Sequence, residues 1–306
     1  TRRATKASKI MLNCNKGGIL KRIKRKTLLY KSGVEYADYG LNHIEGCSHG
    51  CTYPCYAMVM KKRCGIIKGY EEWVQPKIVE NALELLNKEL PRLAKKINSV
   101  FLCFSTDPFM YKQKEVELLT LKILQKLNQY GIKSTLISKG LYPEELTDRK
   151  LYNSQNDYGS TIVSLSKSYK SVYEPGATPI EERIKALKKL HNSGLKTWVS
   201  MEPYPTPNIV QQDIKEILNE VSFVDKIVFG KWNYSKKTSE FNHFKEFYNS
   251  MAAYVLSFGR KHSTDIHIKE GTITEEHLKN ITKEEIVLSR YLENNLFQNI
   301  GSSNLF

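Results

Sequence analysis

The chain has 306 residues and is 41% hydrophobic, which is enough apolar material for one barrel or two ordinary domains. It carries 47 Lys and Arg against 32 Asp and Glu, a formal net charge of +15. That excess favours an anionic partner such as nucleic acid, although a heat-adapted protein shows the same lysine-rich surface. No run of 18 apolar residues and no signal peptide is present, so we expect a cytoplasmic protein with no membrane partner.

The positive charge is concentrated near the start of the chain. Residues 2–31 contain no acid and include the run KRIKRK at 21–26, and a second basic run, KKR, lies at 61–63. Basic arms of this kind commonly contact phosphate. We therefore predict that residues 1–35 form a basic N-terminal arm that contacts nucleic acid.

Beyond the arm, apolar runs rich in strand formers alternate with stretches of helical periodicity. The strands are predicted at residues 36–44, 99–105, 133–138, 160–166, 196–201, 226–229 and 265–269. The helices are predicted at residues 57–63, 114–130, 143–151, 179–194, 209–221 and 241–259, with a helical tail from residue 274.

Proline marks two of the predicted helix starts. Pro76 opens a long amphipathic stretch in which apolar residues from Ile78 to Leu90 recur at helical spacing. The sequence Thr178-Pro179-Ile180-Glu181 is typical of a capping box with proline at the first helical position.

The alternation of strands and helices predicts parallel strands joined by right-handed crossovers. A barrel and a doubly wound sheet both satisfy this rule. In a barrel the chemistry lies where strands end and loops begin, so the residues at the strand ends are the candidates for function.

Three of the six cysteines lie within nine residues, in a segment that we call the cysteine loop (residues 46–57, GCSHGCTYPCYA). Three thiolates so close together are typical of a soft-metal site. A closed zinc site takes four ligands, usually as two pairs, and no second pair follows in the sequence. On a [4Fe-4S] cluster, three thiolates leave one iron open to a substrate or cofactor.

The cysteine loop resembles the cluster-binding motif of radical S-adenosylmethionine (SAM) enzymes. Its Gly-Cys-Ser-His-Gly-Cys context is most similar to the spore photoproduct lyase-like branch. The usual spacing of the family is C-x3-C-x2-C, whereas this loop has C-x3-C-x3-C, with Pro54 between Tyr53 and Cys55. We expect a tight turn at Pro54 that absorbs the extra residue and keeps the three sulfurs pointing one way.

The resemblance implies a fold, two cofactors and a reaction. The fold is α/β, a partial (β/α)6 TIM-type barrel of parallel strands over residues 36–270, with a helical C-terminal extension at 271–306. The cofactors are a [4Fe-4S] cluster on Cys47, Cys51 and Cys55, and S-adenosyl-L-methionine. Such enzymes cleave SAM reductively to a 5′-deoxyadenosyl radical that abstracts hydrogen from a substrate, and they take the electron from a donor such as flavodoxin or ferredoxin. Together with the basic arm, the resemblance favours a nucleic acid or nucleotide-derived substrate that is repaired or modified.

The resemblance also gives roles to polar side chains at the strand ends. The residues expected to contact SAM are Ser105, Thr106, Asp107, Lys139, Ser164, Ser166 and Glu202. The first three resemble the segment that holds the SAM amine, and the lysine is expected to pair with the SAM carboxylate. The two later serines lie where the family places a polar residue near the ribose, and the glutamate is a candidate for ribose hydroxyls or substrate. The structural alternatives are an Asp-Pro turn at Asp107 and a solvated loop lysine at Lys139.

Cys103 is a candidate catalytic thiol. It lies near where the photoproduct lyase family has a hydrogen-donating thiol, and alternation along an extended strand puts Cys103, Ser105 and Asp107 on one face. The alternative is a small buried core residue. His49 is expected to be a hydrogen-bonding residue of the cysteine loop and not a ligand.

A second class of function stays open from the sequence alone. In it the chain is a nucleic-acid-binding protein whose cysteines hold structural zinc or a structural iron-sulfur cluster, without radical chemistry. Cys64 lies near enough in sequence to be the fourth ligand of such a closed site.

Overall fold

A computed structural model describes residues 20–33, 36–53 and 55–280. Its strands are β1 Lys21–Ile23, β2 Leu29–Lys31, β3 Tyr39–Leu41, β4 Ile44–Glu45, β5 Lys77–Val79, β6 Ser99–Leu102, β7 Lys133–Ser138, β8 Asp157–Thr161, β9 Lys196–Tyr204, β10 Lys226–Lys231 and β11 Asp265–Ile268. Its α-helices are α1 Tyr56–Arg63, α2 Tyr70–Trp73, α3 Ala82–Leu93, α4 Lys114–Asn128, α5 Lys167–Tyr173, α6 Ile180–Asn192, α7 Ile214–Glu220, α8 Lys236–Ser239, α9 Phe244–His262 and α10 Glu275–Asn280. Two 3-10 turns are Ala94–Lys96 and Glu144–Thr147.

Eight strands form the main sheet, in the order β11-β10-β9-β8-β7-β6-β3-β2. Neighbours from β11 to β3 are parallel, and the edge pair of β2 and β3 is antiparallel. Successive strands from β6 onward lie side by side, whereas a doubly wound sheet reverses its strand order at a switch point. The structure therefore confirms the predicted α/β fold, a partial TIM-type barrel.

Side-chain alternation divides the main sheet into two faces. On the outer face, Val100 and Val199 belong to the largest apolar cluster, which includes the buried leucines of the surrounding helices. On the inner face, Phe101, Trp198 and Val228 form a separate cluster. Because these strands are parallel, their carboxyl ends and the loops that follow them meet at one edge, which we call the carboxyl edge.

A second sheet of three strands joins the amino end of the described chain to the barrel. β1 pairs in parallel with β5, and β5 pairs antiparallel with β4. Glu89, on α3, accepts hydrogen bonds from the N–H groups of Leu28 and Leu29 at 2.9 and 2.8 Å, just before β2 joins the main sheet. Residues 21–31 are thus built into the fold rather than forming a free arm. Residues 1–19 lie outside the described residues, and the predicted domain boundaries stay predictions.

Three predicted elements differ from the structure because pairing and capping outweigh local periodicity. Ile78 and Val79, predicted in a helix, lie in β5 between two partner strands, and α3 begins at Ala82. The strand predicted at 160–166 instead runs over 157–161, in register with β7. The helix predicted from residue 209 begins later, where the Asp213 side chain accepts from the N–H of Lys215.

Two further predictions fail for local reasons. The helix predicted at 143–151 is only a 3-10 turn, because Asp148 Oδ1 accepts from the Lys150 N–H at 2.9 Å and favours a turn. The predicted capping box does not form, since Pro179 is the N-cap residue of α6 and the buried Thr178 hydroxyl has no hydrogen-bond partner. Among the described residues, no helix combines the length and the apolar character needed to span a bilayer.

Candidate functional site

The cysteine loop leads from β4 into α1 at the carboxyl edge. It begins with Gly46, where φ is +85° and an added Cβ would lie 2.7 Å from the Trp73 carbonyl oxygen, so only glycine fits. The N–H of Cys47 donates to the same carbonyl at 2.9 Å, and the Thr106 hydroxyl donates to the Gly46 carbonyl. These contacts fix the point at which the first cysteine leaves the sheet. Pro54 lies outside the described residues, and the turn predicted there stays a prediction.

Cys47, Cys51 and Cys55 pack close together, since Cys55 shares one apolar cluster with Cys51 and another with Cys47. Burial raises the pKa of Cys47 well above its usual value, and the negative charges of Asp107 and of the other two thiolates raise it further. Burial also raises the pKa of Cys51 to about 12. Thiols in such surroundings keep their protons until a metal supplies positive charge.

This donor set fits an iron-sulfur cluster. A cluster takes one thiolate on each iron, whereas a single ion needs ligands that converge on one point. Within the described ranges, no three His, Cys, Asp or Glu side chains are arranged to hold one metal ion. Cys51 and Cys55 pack against Tyr53 and Trp232, so apolar rings surround the sulfurs. Cys64, the suggested fourth ligand, is exposed at the opposite end of α1 from Cys55.

His49 is a hydrogen-bonding residue of the loop, as expected, and Asp107 is its partner. His49 Nε2 accepts from the Tyr111 N–H at 3.0 Å, so the ring proton is on Nδ1, 3.4 Å from Asp107 Oδ2. Asp107 also accepts from the Ser138 hydroxyl at 2.7 Å and from the Lys139 N–H at 2.8 Å. Burial raises the pKa of Asp107, but His49 and these hydrogen bonds outweigh burial and lower it. The Asp107 carboxylate, which is expected at the SAM amine, thus connects three loops through these contacts.

A chain of polar contacts runs from Cys51 into the barrel wall. Against the larger effect of burial, a hydrogen bond from Tyr53 lowers the pKa of Cys51, and Lys139 Nζ donates to the Tyr53 hydroxyl oxygen. The Lys139 ammonium also lies 5.0 Å from the Tyr53 ring centre and 3.7 Å from Glu174 Oε1. Glu174 Oε2 accepts from Arg183 Nη2 at 2.6 Å, and both of these side chains are buried. Lys139 is therefore held in place and is not a solvated loop lysine.

The segment of residues 172–176, which we call the strap, lies against the cysteine loop. The carbonyls of Val172 and Tyr173 accept from the hydroxyl and the N–H of Thr52, at 2.7 and 3.0 Å. The N–H of Gly176 donates to the His49 carbonyl at 2.9 Å. The strap thus holds the loop at two points, and it also carries the buried glutamate of the polar chain.

The predicted ribose-side serines have structural partners of their own. The Ser164 hydroxyl accepts from the Ser166 N–H at 3.1 Å. Ser166 is the N-cap residue of α5, and its hydroxyl accepts from the Tyr169 N–H at 3.2 Å. These two serines shape the loop that follows β8. Ser105 is half-buried after β6, and its N–H donates to Asn42 Oδ1 at 3.3 Å.

Glu202 lies near the carboxyl end of β9. Alternation along β9 puts it on the inner face with Trp198 and Ser200. A Cβ added to Gly230 on β10 would lie 2.9 Å from carbons of the Glu202 side chain, so the glycine leaves the room that this side chain occupies. The half-buried Glu202 side chain therefore lies at the inner mouth of the barrel.

The extended strand expected from Cys103 to Asp107 does not form. β6 ends at Leu102, and Cys103 has a φ of +59°, so the alternation does not continue beyond the strand. Cys103 is fully buried, with its Sγ 3.4 Å from His43 Nδ1, in an apolar cluster that includes Met110. The structure places this thiol in the core, and its role as a hydrogen donor stays a prediction.

Sequence reasoning missed Glu174 and Arg183. Glu174 precedes proline and glycine and has the appearance of an ordinary turn residue. One signal was available for Arg183, because it shares the apolar stripe of α6 with Ile180 and Leu187 at helical spacing. A charged residue on such a stripe indicates a buried partner.

The model of one protein family matches more than half of the chain. The family is described as the Radical SAM superfamily, and the match covers residues 41–221. Two similar proteins are uncharacterized. One, from Methanocaldococcus jannaschii, is 26% identical over 74% of this chain and 82% of its own length. The other, from Acidianus two-tailed virus, is 27% identical over 62% of this chain and 64% of its own length.

Solved structures of spore photoproduct lyase share the fold. A mutant with bound AdoMet and dinucleoside spore photoproduct is 13% identical, with a TM-score of 0.60 over 84% of this chain and 83% of that chain. A second structure, complexed with dinucleoside spore photoproduct, is 14% identical, with a TM-score of 0.59 over the same shares. At these identities the likeness concerns the fold alone.

Proposed function

This chain belongs to the radical SAM superfamily, and we propose that Cys47, Cys51 and Cys55 hold its cluster and that its substrate is nucleic acid. The protein is a radical SAM enzyme, and the cofactors of the family are a [4Fe-4S] cluster and SAM. When bound, these cofactors supply the 5′-deoxyadenosyl radical that abstracts hydrogen from a substrate. The observation that carries the cluster assignment is the packing of three cysteines of one loop at the carboxyl edge, where Cys55 shares one apolar cluster with Cys51 and another with Cys47.

Three side chains at this edge are the proposed SAM contacts. Lys139 presents an ammonium beside the thiols for the methionine carboxylate. Ser105, after β6, and Glu202, on β9, present a hydroxyl and a carboxylate at the same edge. Asp107 instead positions the cysteine loop through His49. The shared task of these residues is to orient the cofactor and exclude water. Flavodoxin or ferredoxin is the proposed type of electron donor.

The nucleic acid proposal rests on α1. This helix begins directly after Cys55 with Tyr56, whose exposed ring lies edge-on to Phe104 at 5.9 Å, and it ends with the basic run at 61–63. An exposed aromatic ring and basic groups on one short helix provide a surface on which bases stack and phosphates bind. The dinucleoside spore photoproduct in the spore photoproduct lyase structures supports the same class of substrate by analogy.

The basic residues before β2 contribute less than their number suggests. Acids that come from other parts of the chain neutralise three of them, in the pairs Arg22 with Glu115, Lys24 with Glu80, and Arg25 with Glu45. The last turn of α1 carries Lys62 and Arg63, and both are exposed. These two residues are therefore the proposed phosphate contacts among the described basic residues.

The salt dependence of DNA binding tests this proposal. Each phosphate contact contributes about 0.9 to the slope of log affinity against log salt on duplex DNA. The double variant Lys62→Met with Arg63→Met is therefore expected to lower that slope by about 1.8 in fluorescence anisotropy titrations. Lys95→Met with Lys96→Met removes the same charge just before β6, at the opposite edge of the sheet, and serves as the matched control. Equal slopes for both variants and the wild type would contradict the assigned surface, and a flat slope for the wild type would contradict a nucleic acid substrate.

A further inference from the structure

Two buried charges, Glu174 and Arg183, and the partly buried ammonium of Lys139 follow one another behind Cys51, and their sum is positive. Glu174 lies between two cations, 3.7 Å from Lys139 Nζ and 2.6 Å from Arg183 Nη2. Arg183 Nε and Nη1 also donate to two backbone carbonyls at 2.8 and 3.0 Å, which fixes the arginine. Charges held in such a low-dielectric setting act strongly on their neighbours.

The position of Lys139 is fixed by its main chain as well as by its ammonium. Its N–H donates to Asp107 at 2.8 Å, and its carbonyl accepts from the Thr178 N–H at 3.0 Å. Its ammonium contacts the Tyr53 hydroxyl and the Glu174 carboxylate. Such a charge cannot move away from the cysteine loop without breaking contacts on two loops.

Tyr53 packs against Cys51 and Cys55, and its hydroxyl contacts the Lys139 ammonium, so Tyr53 connects the Lys139–Glu174 pair to the loop cysteines. Burial is the largest influence and raises the pKa of Cys51, the Lys139 charge lowers it, and the Glu174 charge raises it. The Tyr53 hydroxyl adds a hydrogen bond to the sulfur that acts in the same direction as the lysine. The two charges thus act on the same sulfur with opposite sign.

We propose that Tyr53, Lys139 and Glu174, anchored by Arg183, set the reduction potential of the cluster through Cys51. This inference rests on the cluster assignment of the proposed function. Reduction adds negative charge to a cluster, and a nearby cation or a hydrogen bond to a ligand sulfur stabilises that charge. Lys139 and Tyr53 therefore raise the potential, whereas Glu174 lowers it. All are positioning residues that act through a cluster ligand.

Variants of the pair are expected to shift the potential in opposite directions. Lys139→Met removes the cation and lowers the potential of the cluster, and Glu174→Gln removes the anion while keeping an acceptor for Arg183, so it raises the potential. Tyr53→Phe lowers the potential, and the double variant Lys139→Met with Glu174→Gln returns it toward the wild-type value. The potentials are measured by EPR-monitored redox titration of anaerobic, cluster-loaded protein without SAM, so that the second proposed role of Lys139 does not enter.

The matched controls remove charges at the other end of the sheet. Lys226 and Asp265 pair at 3.4 Å at the amino ends of β10 and β11, and Lys226→Met and Asp265→Asn are expected to leave the potential unchanged. If Glu174→Gln does not fold, the reduction potentials of Lys139→Met and Glu174→Asp test the inference. Glu174→Asp is expected to keep the wild-type potential because it keeps the charge.

Two kinds of failure are distinguishable by iron and sulfide analysis. If the variants hold a full cluster but their reduction potentials shift in the same direction, or do not shift, this inference alone is overturned. A merely structural role would change the amount of cluster bound and would not give potential shifts of opposite sign. Wild-type protein that takes up no cluster overturns the proposed function, and the inference with it.

Discussion

His43 illustrates how a single buried residue makes the fold sensitive to acid. Its Nε2 lies 2.8 Å from the Thr120 hydroxyl, which itself donates to main-chain carbonyls at 2.6 and 2.9 Å. The histidine therefore donates through Nε2 and accepts from the Cys103 thiol through Nδ1. Burial, assisted by the charge of Arg25, lowers the pKa of His43 to about 3.

This shift predicts a loss of stability below neutral pH. The unfolded chain binds a proton at His43 below about pH 6.5, whereas the folded protein does not until about pH 3, so acid favours unfolding between these values. Between pH 6.5 and 5 the wild type is expected to lose about 1.6 kcal/mol more unfolding free energy than His43→Asn, which cannot titrate. Urea unfolding at both pH values measures the difference. Identical pH dependence in the two proteins would show that His43 is not buried in its neutral form.

The residues of the site differ in how far the sequence predicts them. Cys47, Cys51 and Cys55 could be grouped from the sequence, because residues on one short loop are local in sequence, and their role as cluster ligands stays a prediction. Asp107 and Lys139 were placed at the correct edge, but their partners could not be predicted, since His49 and Glu174 come from segments distant in sequence. Contacts of this kind depend on how the loops pack, which periodicity does not encode.

At the scale of elements, the strap determines the shape of the cysteine loop. A Cβ added to Gly176 would lie 2.4 Å from the Ser48 carbonyl oxygen and 2.8 Å from the His49 carbonyl oxygen. Main-chain atoms cannot move aside as the end of a flexible side chain can. With a Cβ at position 176, the strap and the loop would therefore have to move apart. The glycine therefore makes possible the hydrogen bond from its own N–H to the loop.

Gly176→Ala is predicted to disturb the loop and to lower its uptake of the proposed cluster. We expect about 1–3 kcal/mol lower stability, as for other overpacked sites, and less iron bound per chain. Gly69→Ala is the control, because a Cβ there meets nothing within 4 Å. Iron analysis measures the iron bound per chain, and thermal unfolding measures the stability of the two variants. Wild-type iron content in Gly176→Ala would mean that the strap does not determine the loop.

The elements that the sequence predicts well are those whose pattern and tertiary setting agree. β7 and α4 lie where predicted, because a buried strand and a helix with one apolar face are each patterned for their place. β5 was not predicted, because this three-residue strand is formed by its pairing with β1 and β4, and local periodicity does not indicate such pairing. A helix was predicted where the structure has only the 3-10 turn Glu144–Thr147, because the Asp148 side chain competes for backbone hydrogen bonds.

At the scale of the whole molecule, the alternation of strands and helices was sufficient to predict parallel strands with one functional edge. It was not sufficient to choose between a barrel and a doubly wound sheet, which differ only in strand order. The sequence also indicated a basic arm where the structure has β1 and β2, because strand partners and neutralising acids come from distant parts of the chain.

The three loop cysteines, and not Cys64, are proposed to hold the cluster, and one comparison of variants tests this most directly. Iron, sulfide and 5′-deoxyadenosine are to be measured for anaerobically reconstituted wild type, Cys51→Ala and Cys64→Ala, with SAM and a reductant present. We predict that the wild type and Cys64→Ala bind one [4Fe-4S] cluster per chain and cleave SAM, because Cys64 lies exposed at the far end of α1. Cys51→Ala is predicted to do neither. A Cys51→Ala protein that retains a full cluster and cleaves SAM, or a Cys64→Ala protein that loses its cluster, would contradict the assignment.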